Sequence, residues 1–139
     1  MDDFELLNDD HSLLSAQVVH VTALMKTLEH DPSWPSPLKT EVIRQVEILR
    51  QQLLEHFAFE EAQTFPRIDN RFPHASSRVE ELREQHAKVM AALELVWNNL
   101  QSARAPHQVL ADCEVFRVVF TDHATEENEL LRQLANAAQ

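Results

Sequence analysis

Four histidines interrupt the apolar positions of four segments that have helical periodicity. They are His11, His56, His86 and His123. A polar group in a protein interior is costly unless it is compensated, and imidazole nitrogen is a common ligand of transition metals. The pattern therefore predicts that the four rings meet inside the molecule and hold metal.

Two glutamates extend this set of candidate ligands. Glu60 follows His56 by one helical turn, and Glu127 follows His123 in the same way, so each pair shares a helix face. Carboxylates bridge paired hard or borderline metal ions, and one ion takes about four to six ligands. Four imidazoles and two carboxylates fit a bridged pair of metals better than one metal. Such a pair would keep vacant positions for a small exogenous ligand.

The composition favours helices over other secondary structure. The chain has no glycine and only six prolines, whereas tight hairpins and phosphate-binding loops need residues with positive φ. Alanine, leucine, glutamate, glutamine and arginine are abundant and are good helix formers. We predict an all-α protein that forms a single domain over residues 1–139, with a short N-terminal arm of about residues 1–8.

The charge and the apolar pattern exclude several kinds of partner. A formal net charge of −11 repels phosphate backbones and anionic lipids, so we expect neither nucleic acid nor membrane as a partner. No apolar run is long enough to span a bilayer, and the acidic start lacks the order of a secretory signal. The single cysteine, Cys113, cannot form an internal disulfide. These features predict a cytoplasmic protein.

Four amphipathic segments with short connections predict an antiparallel up-down-up-down four-helix bundle. The helices are expected at about residues 10–30, from 37 to near 65, from 77 to about 103, and from 106 onward. Proline-containing loops would cover 31–37 and 67–75. Asn8, Asp9 and Asp10 are candidate caps of the first helix, and Ser77 to Glu80 reads as a capping box for the third.

The four histidines are also expected at one level of this bundle. Each lies roughly 17 to 19 residues along its helix from the end that holds the first and third loops, or about 25–29 Å at the α-helical rise. The rings should therefore share a position along the bundle as well as a direction.

These residues resemble hemerythrins and the hemerythrin-like HHE cation-binding domains. The HFxxEE element of that family is similar to the run from His56 to Glu61, which is followed by Phe65 and Pro66. Three further elements match in order: Asp10-His11 in the first helix, Glu84-Gln-His86 in the third, and His123 with Glu127 in the fourth. The resemblance extends from about residue 8 to 135.

The resemblance implies a hemerythrin-like bundle with a non-haem di-iron centre. It implies two iron ions with an oxo or hydroxo bridge, one bound by His11 and His56 and the other by His86 and His123. Glu60 and Glu127 would bridge the two ions. The function implied is binding or sensing of O₂, NO or peroxide. Zinc or manganese also remains compatible with these ligand types.

Two departures from the oxygen-carrying hemerythrins matter. Those proteins have a further histidine one turn before the third-helix ligand, where this chain has Leu82. They end with an HxxxxD pair, whereas this chain has HxxxE at His123 and Glu127. The set of four histidines and two glutamates looks more like that of bacterial iron–sulfur repair proteins of the nitric-oxide response and related HHE sensors. We therefore expect one iron to have fewer protein ligands and to be more open to water, NO or peroxide.

The sequence alone leaves other functions open. The chain could be an enzyme, either an oxidase or peroxidase or a donor of iron for cluster repair, or it could be a regulatory or purely interacting bundle whose protein partner is unknown. Because tyrosine is absent, chemistry through a tyrosyl radical is excluded. Three acidic neighbours of the ligands, Glu61, Asp122 and Glu126, either orient imidazole rings or are solvated. We favour solvation for Asp122 and Glu126.

The remaining histidines and several aromatic residues have simpler interpretations. We expect surface positions for His20, His30, His74 and His107. We expect Cys113 to be a small core residue, about 15 Å from His123 by helical rise. Four phenylalanines are expected in the core, where they could also keep water from the metals: Phe57, Phe59, Phe116 and Phe120.

Overall fold

The computed structural model describes residues 3–29, 37–102 and 106–137, with side chains described for 11–28, 37–102 and 107–137. The described chain is helical and contains no strand. Its elements are α1 (Asp3–Glu29), α2 (Pro37–Phe59), a π-helical segment (Glu60–Thr64), α3 (Phe65–Arg71), a 3₁₀ turn (Pro73–Ala75), α4 (Ser76–Gln101) and α5 (Pro106–Ala137).

The four long helices form a closed ring. Helix α1 packs against α2 and α5, and α4 packs against the same two neighbours. Contacts between α1 and α5 join His11 to Asn128 and Thr22 to Cys113, so these two helices run in opposite directions. The all-α fold and the up-down-up-down bundle are thus confirmed. None of the described helices is long and apolar enough to cross a membrane.

Two apolar clusters fill the bundle. The larger one, here called the main core, occupies most of its length and contains Leu14, Val18, Val21, Met25, Leu28, Val42, Val46, Leu49, Leu53, Phe57, Val89, Leu93, Val96, Leu100, Val109, Cys113, Phe116, Phe120 and Ala124. The smaller one, the end cluster, contains Phe65, Ile68, Phe72, Ala75, Val79, Leu82, Leu130, Leu131 and Leu134. Along α4, His86 lies between Leu82 of the end cluster and Val89 of the main core. The histidine level therefore separates the two clusters.

The second helix does not end where the sequence predicted. The expected stop near Phe65 and Pro66 is wrong, because α3 continues the chain to Arg71. The expected loop over 67–75 is wrong over 67–71, and the connection to α4 is confined to Phe72 and the 3₁₀ turn. Proline lacks an N–H, and its ring clashes with the carbonyl four residues before it in a regular α-helix. Just before Pro66, the N–H of Phe65 donates to the carbonyl of Glu60, five residues earlier. This π-helical turn is wider than an α-helical turn and accommodates one extra residue.

The predicted starts of two other helices also need correction. Helix α1 begins at Asp3, so residues 3–8 of the expected arm and the expected caps at 8–10 lie within a helix. Helix α4 begins at Ser76 without a side-chain cap, because the chain enters it from the 3₁₀ turn. The expected capping box from Ser77 to Glu80 is therefore wrong. Most of the first predicted loop, at 31–36, and residues 104 and 105 of the break predicted at 104–106 lie outside the described residues, while Pro106 begins α5.

Candidate metal centre

The six predicted ligands come together between the main core and the end cluster. Each long helix contributes one histidine, the π-helical segment contributes one glutamate, and α5 contributes the other. All six are buried, with no side chain more than 9% exposed: His11, His56, Glu60, His86, His123 and Glu127. The expectation that they share a level and a direction is confirmed.

The ligand atoms form two overlapping groups. Within each group, one potential ligand atom from every residue lies within 4.8 Å of all the others. The first group is His11, His56, Glu60 and Glu127, and the second is Glu60, His86, His123 and Glu127. Both glutamates belong to both groups. The arrangement therefore offers two adjacent cation positions with shared carboxylates.

Glu60 connects the two groups from the π-helical segment. Its Oε1 lies 3.2 Å from His56 Nε2 and 3.1 Å from His86 Nε2. Burial raises the pKa of this carboxyl, but hydrogen bonds from His11, His56 and His86 outweigh burial and hold the pKa well below its usual range. Glu60 is therefore an ionised carboxylate inside the protein, and such a charge needs a compensating partner.

Glu127 connects the same groups from α5. Its Oε1 lies 3.1 Å from His11 Nε2, and its Oε2 lies 3.2 Å from His123 Nε2. Neither carboxylate oxygen makes a hydrogen bond, and the same is true of His123 Nε2. Buried polar atoms are nearly always satisfied, so lone pairs that converge without hydrogen bonds fit a cation.

The protonation of His123 suits this arrangement. Burial, followed by the neighbouring ring of His86, lowers the pKa of His123 to about 3. The ring is therefore neutral near pH 7 and keeps one nitrogen lone pair, which is the form that binds metal.

Aromatic rings enclose the second pair of histidines. Phe57 stacks on His86 with 3.9 Å between ring centroids and meets His123 edge-on at 5.5 Å. Phe65 also stacks on His86, at 5.5 Å. Phe57 thus has the predicted position at the centre. Phe65 was missed, because the sequence placed it at the end of a helix, and Phe59 is half-exposed instead of lining the centre.

Three of the rings have a side-chain oxygen beside Nδ1, whereas Nε2 of each ring lies close to Glu60 or Glu127. Asn128 Oδ1 lies 2.6 Å from His11, Gln85 Oε1 lies 2.8 Å from His123, and Glu61 Oε1 lies 3.4 Å from His86. The contacts to His11 and His123 are hydrogen bonds, and such partners orient metal-binding imidazoles. Glu61 lies close to His86, but Nδ1 of His86 makes no hydrogen bond. Glu61 was a sequence candidate for this role, whereas the two amides were missed. Each amide serves a histidine on another helix, so spacing along its own helix gives no signal.

The other candidates lie away from the glutamates or at the surface. Asp122 and Glu126 are exposed, as expected, but Glu126 accepts a hydrogen bond from Gln85. Cys113 is buried in the main core with Phe116 and Phe120. His20, His74 and His107 are exposed as predicted, and His30 lies outside the described residues.

The comparisons with known proteins agree with this geometry. The model of the hemerythrin HHE cation binding domain matches residues 2–135, nearly the whole chain. Neither the curated proteins nor the solved structures that were searched gave a significant match. The family match spans every helix of the bundle and all six residues of the buried centre. The chain therefore belongs to the hemerythrin HHE cation-binding domain family.

Proposed function

We propose that this chain binds two iron ions between the main core and the end cluster and that it uses them to bind or sense O₂, NO or peroxide. His11 and His56 would hold one ion, and His86 and His123 would hold the other. The observation that carries the proposal is that two groups of ligand atoms share both glutamates.

The donor atoms fit iron. Imidazole nitrogen and carboxylate oxygen suit divalent iron, although zinc and manganese accept similar sets. A cation in each group would also provide a partner for the oxygens of Glu127 and for Nε2 of His123, which are buried without hydrogen bonds. The family match supports a cation in general, and the resemblance to di-iron proteins favours iron.

The surroundings of the centre favour a small exogenous ligand. Four protein residues per group leave positions open on a six-coordinate ion. Phe57 and Phe65 cover the His86 ring, so these rings exclude water and leave little space for a large molecule. When bound, an iron pair supplies Lewis acidity and redox electrons.

The direct test is metal analysis and an absorption spectrum of aerobically purified protein. We expect two irons per chain with the charge-transfer bands of a bridged ferric pair. His56→Ala and Glu127→Ala should each abolish those bands, while His20→Ala, which changes an exposed histidine on α1, should retain them. Protein without iron, or a full spectrum in both ligand variants, would overturn the proposal.

The exogenous ligand needs a separate test. The reduced protein would be mixed with O₂, NO or hydrogen peroxide, and its spectrum would be followed during addition and removal of each. A reversible change supports binding or sensing. Continuous consumption of one reagent would instead show that the chain is an enzyme.

A further inference from the structure

We propose that Glu126 and Gln85 form a positioning pair that holds His123 in the tautomer with its proton on Nδ1. In that tautomer, the lone pair on Nε2 faces the glutamates of the centre. This role rests on the proposed metal site, because it concerns the orientation of one of its ligands.

The contacts run from the surface to the centre in two steps. Glu126, exposed on α5, accepts a hydrogen bond from Nε2 of Gln85 on α4. Gln85 is half-buried, and its Oε1 lies 2.8 Å from Nδ1 of His123. A surface carboxylate is thus one amide away from a buried candidate ligand.

Hydrogen-bond chemistry sets the direction of both contacts. An ionised carboxylate only accepts hydrogen bonds, so the amide must turn its NH₂ towards Glu126 and its oxygen towards His123. The amide oxygen also only accepts, so Nδ1 of His123 must carry the proton. Without the carboxylate, the amide of Gln85 could turn over and present its NH₂ to the ring instead.

The contact at Nε2 of His123 agrees with protonation on Nδ1. Nε2 of His123 lies 3.2 Å from Oε2 of Glu127, yet its geometry is not that of a hydrogen bond. The ring therefore makes its hydrogen bond through Nδ1 and keeps a lone pair on Nε2. Metal-binding histidines are commonly fixed in this way by an acceptor on the second nitrogen.

A simpler interpretation is that Glu126 and Gln85 form a surface pair without effect on the centre. Glu81 offers a matched control, because it lines the same surface cavity as Glu126, a cavity of about 130 Å³ between α4 and α5. Replacing either glutamate by glutamine removes the same charge from the same place. Only the change at Glu126 alters the partner of Gln85.

The experiment is long-range ¹H–¹⁵N NMR of the metal-free full chain with labelled histidine, which reports the tautomer of each ring. In the unmodified protein we expect His123 to be protonated on Nδ1. Gln85→Leu should shift it towards the Nε2 tautomer, because Nδ1 then loses its acceptor. Glu126→Gln should cause a smaller shift, because an amide partner allows both orientations of Gln85, and Glu81→Gln should cause none.

An Nε2-protonated His123 in the unmodified protein, or an unchanged tautomer in Gln85→Leu, overturns the proposal. If Gln85→Leu does not fold, Glu126→Gln decides, since it changes only an exposed side chain. Zn²⁺ affinity is measured in parallel and should fall about tenfold in Gln85→Leu. If the tautomers behave as expected but the unmodified chain binds no metal, the proposed function fails while the positioning role stands.

Discussion

The main core and the metal centre are built on the same helices with opposite chemistry. Leu49 and Leu53 of α2 are fully buried among aliphatic neighbours, and such packing stabilises the fold without any further group. One turn beyond Leu53, His56 points inward in the same way, but its neighbours are nitrogen and oxygen atoms. Periodicity therefore decides which side chains face inward, and their chemistry decides whether they stabilise the fold or form a site.

This contrast predicts that mutations can disrupt the main core and the metal centre separately. A change in the main core should reduce stability and leave the ligand set intact. A change in the centre should remove metal and leave the bundle folded, because the aliphatic packing does not depend on a cation.

The largest effect is expected for Glu60→Ala, because Glu60 belongs to both groups. In other proteins, removing a residue that hydrogen-bonds to a metal ligand weakens metal binding by about 10–100-fold. Glu60 is itself a shared ligand in our proposal, so its loss should weaken binding of both ions by more than about 100-fold. Metal titration measures the binding, and circular dichroism checks that the bundle is still helical. Tight binding of two ions by this variant would mean that the carboxylate is not shared.

Leu49→Ala should have the converse effect. Deleting a fully buried leucine typically costs about 2–5 kcal/mol of unfolding free energy through lost burial and the cavity left behind, and Leu49 is fully buried. Urea unfolding measures the loss. The variant should still bind two ions under conditions in which it is folded, whereas a loss of metal would show that the two regions are not independent.

Metal removal should lower stability by a moderate amount. A ligand that binds only the native state stabilises it by about 2.7 kcal/mol when its concentration is 100 times the dissociation constant. The thermal midpoint should therefore fall when iron is removed and recover when it is returned. In Glu60→Ala the same treatment should change nothing. An unchanged midpoint in the unmodified protein would show that binding and folding are not coupled.

The smallest effect concerns the pH dependence of the metal-free protein. The pKa of His123 is lowered from 6.5 to about 3, so the unfolded chain binds this proton more readily than the native state. The stability linked to His123 is present above pH 6.5 and is lost as the pH falls towards 3. The slope for one such proton reaches about 1.4 kcal/mol per pH unit. Glu60, whose pKa is also lowered, acts in the same direction.

Urea unfolding at several pH values measures this slope. Replacement of His123 by leucine should make the slope shallower, and His20→Ala should leave it unchanged because that ring is exposed. Equal slopes in all three proteins would contradict a buried, neutral His123.

Much of this centre could be predicted from the sequence because its signal is local to each helix. Periodicity gives the inward face, and helical rise gives the level, so the position of the four histidines at one level follows from counting residues. The bundle order follows in the same way from short connections. The two shared glutamates were found because each lies one turn beyond a histidine.

The remaining features depend on contacts that no single helix reveals. Gln85 serves His123 on the neighbouring helix, and Asn128 serves His11. Pro66 is a strong stop signal in an α-helix, but the π-helical turn before it lets the chain continue and brings Phe65 against His86. Such accommodation depends on the packing around the turn, which the sequence pattern does not contain.

The most direct test of the central claim is an anaerobic titration of metal-free protein with Fe²⁺, with counting of the ions bound per chain. The unmodified protein should bind two, and His56→Ala, which removes a ligand of the first group only, should bind one tightly. A single ion in the unmodified protein, or two ions bound equally well by His56→Ala, would contradict the account.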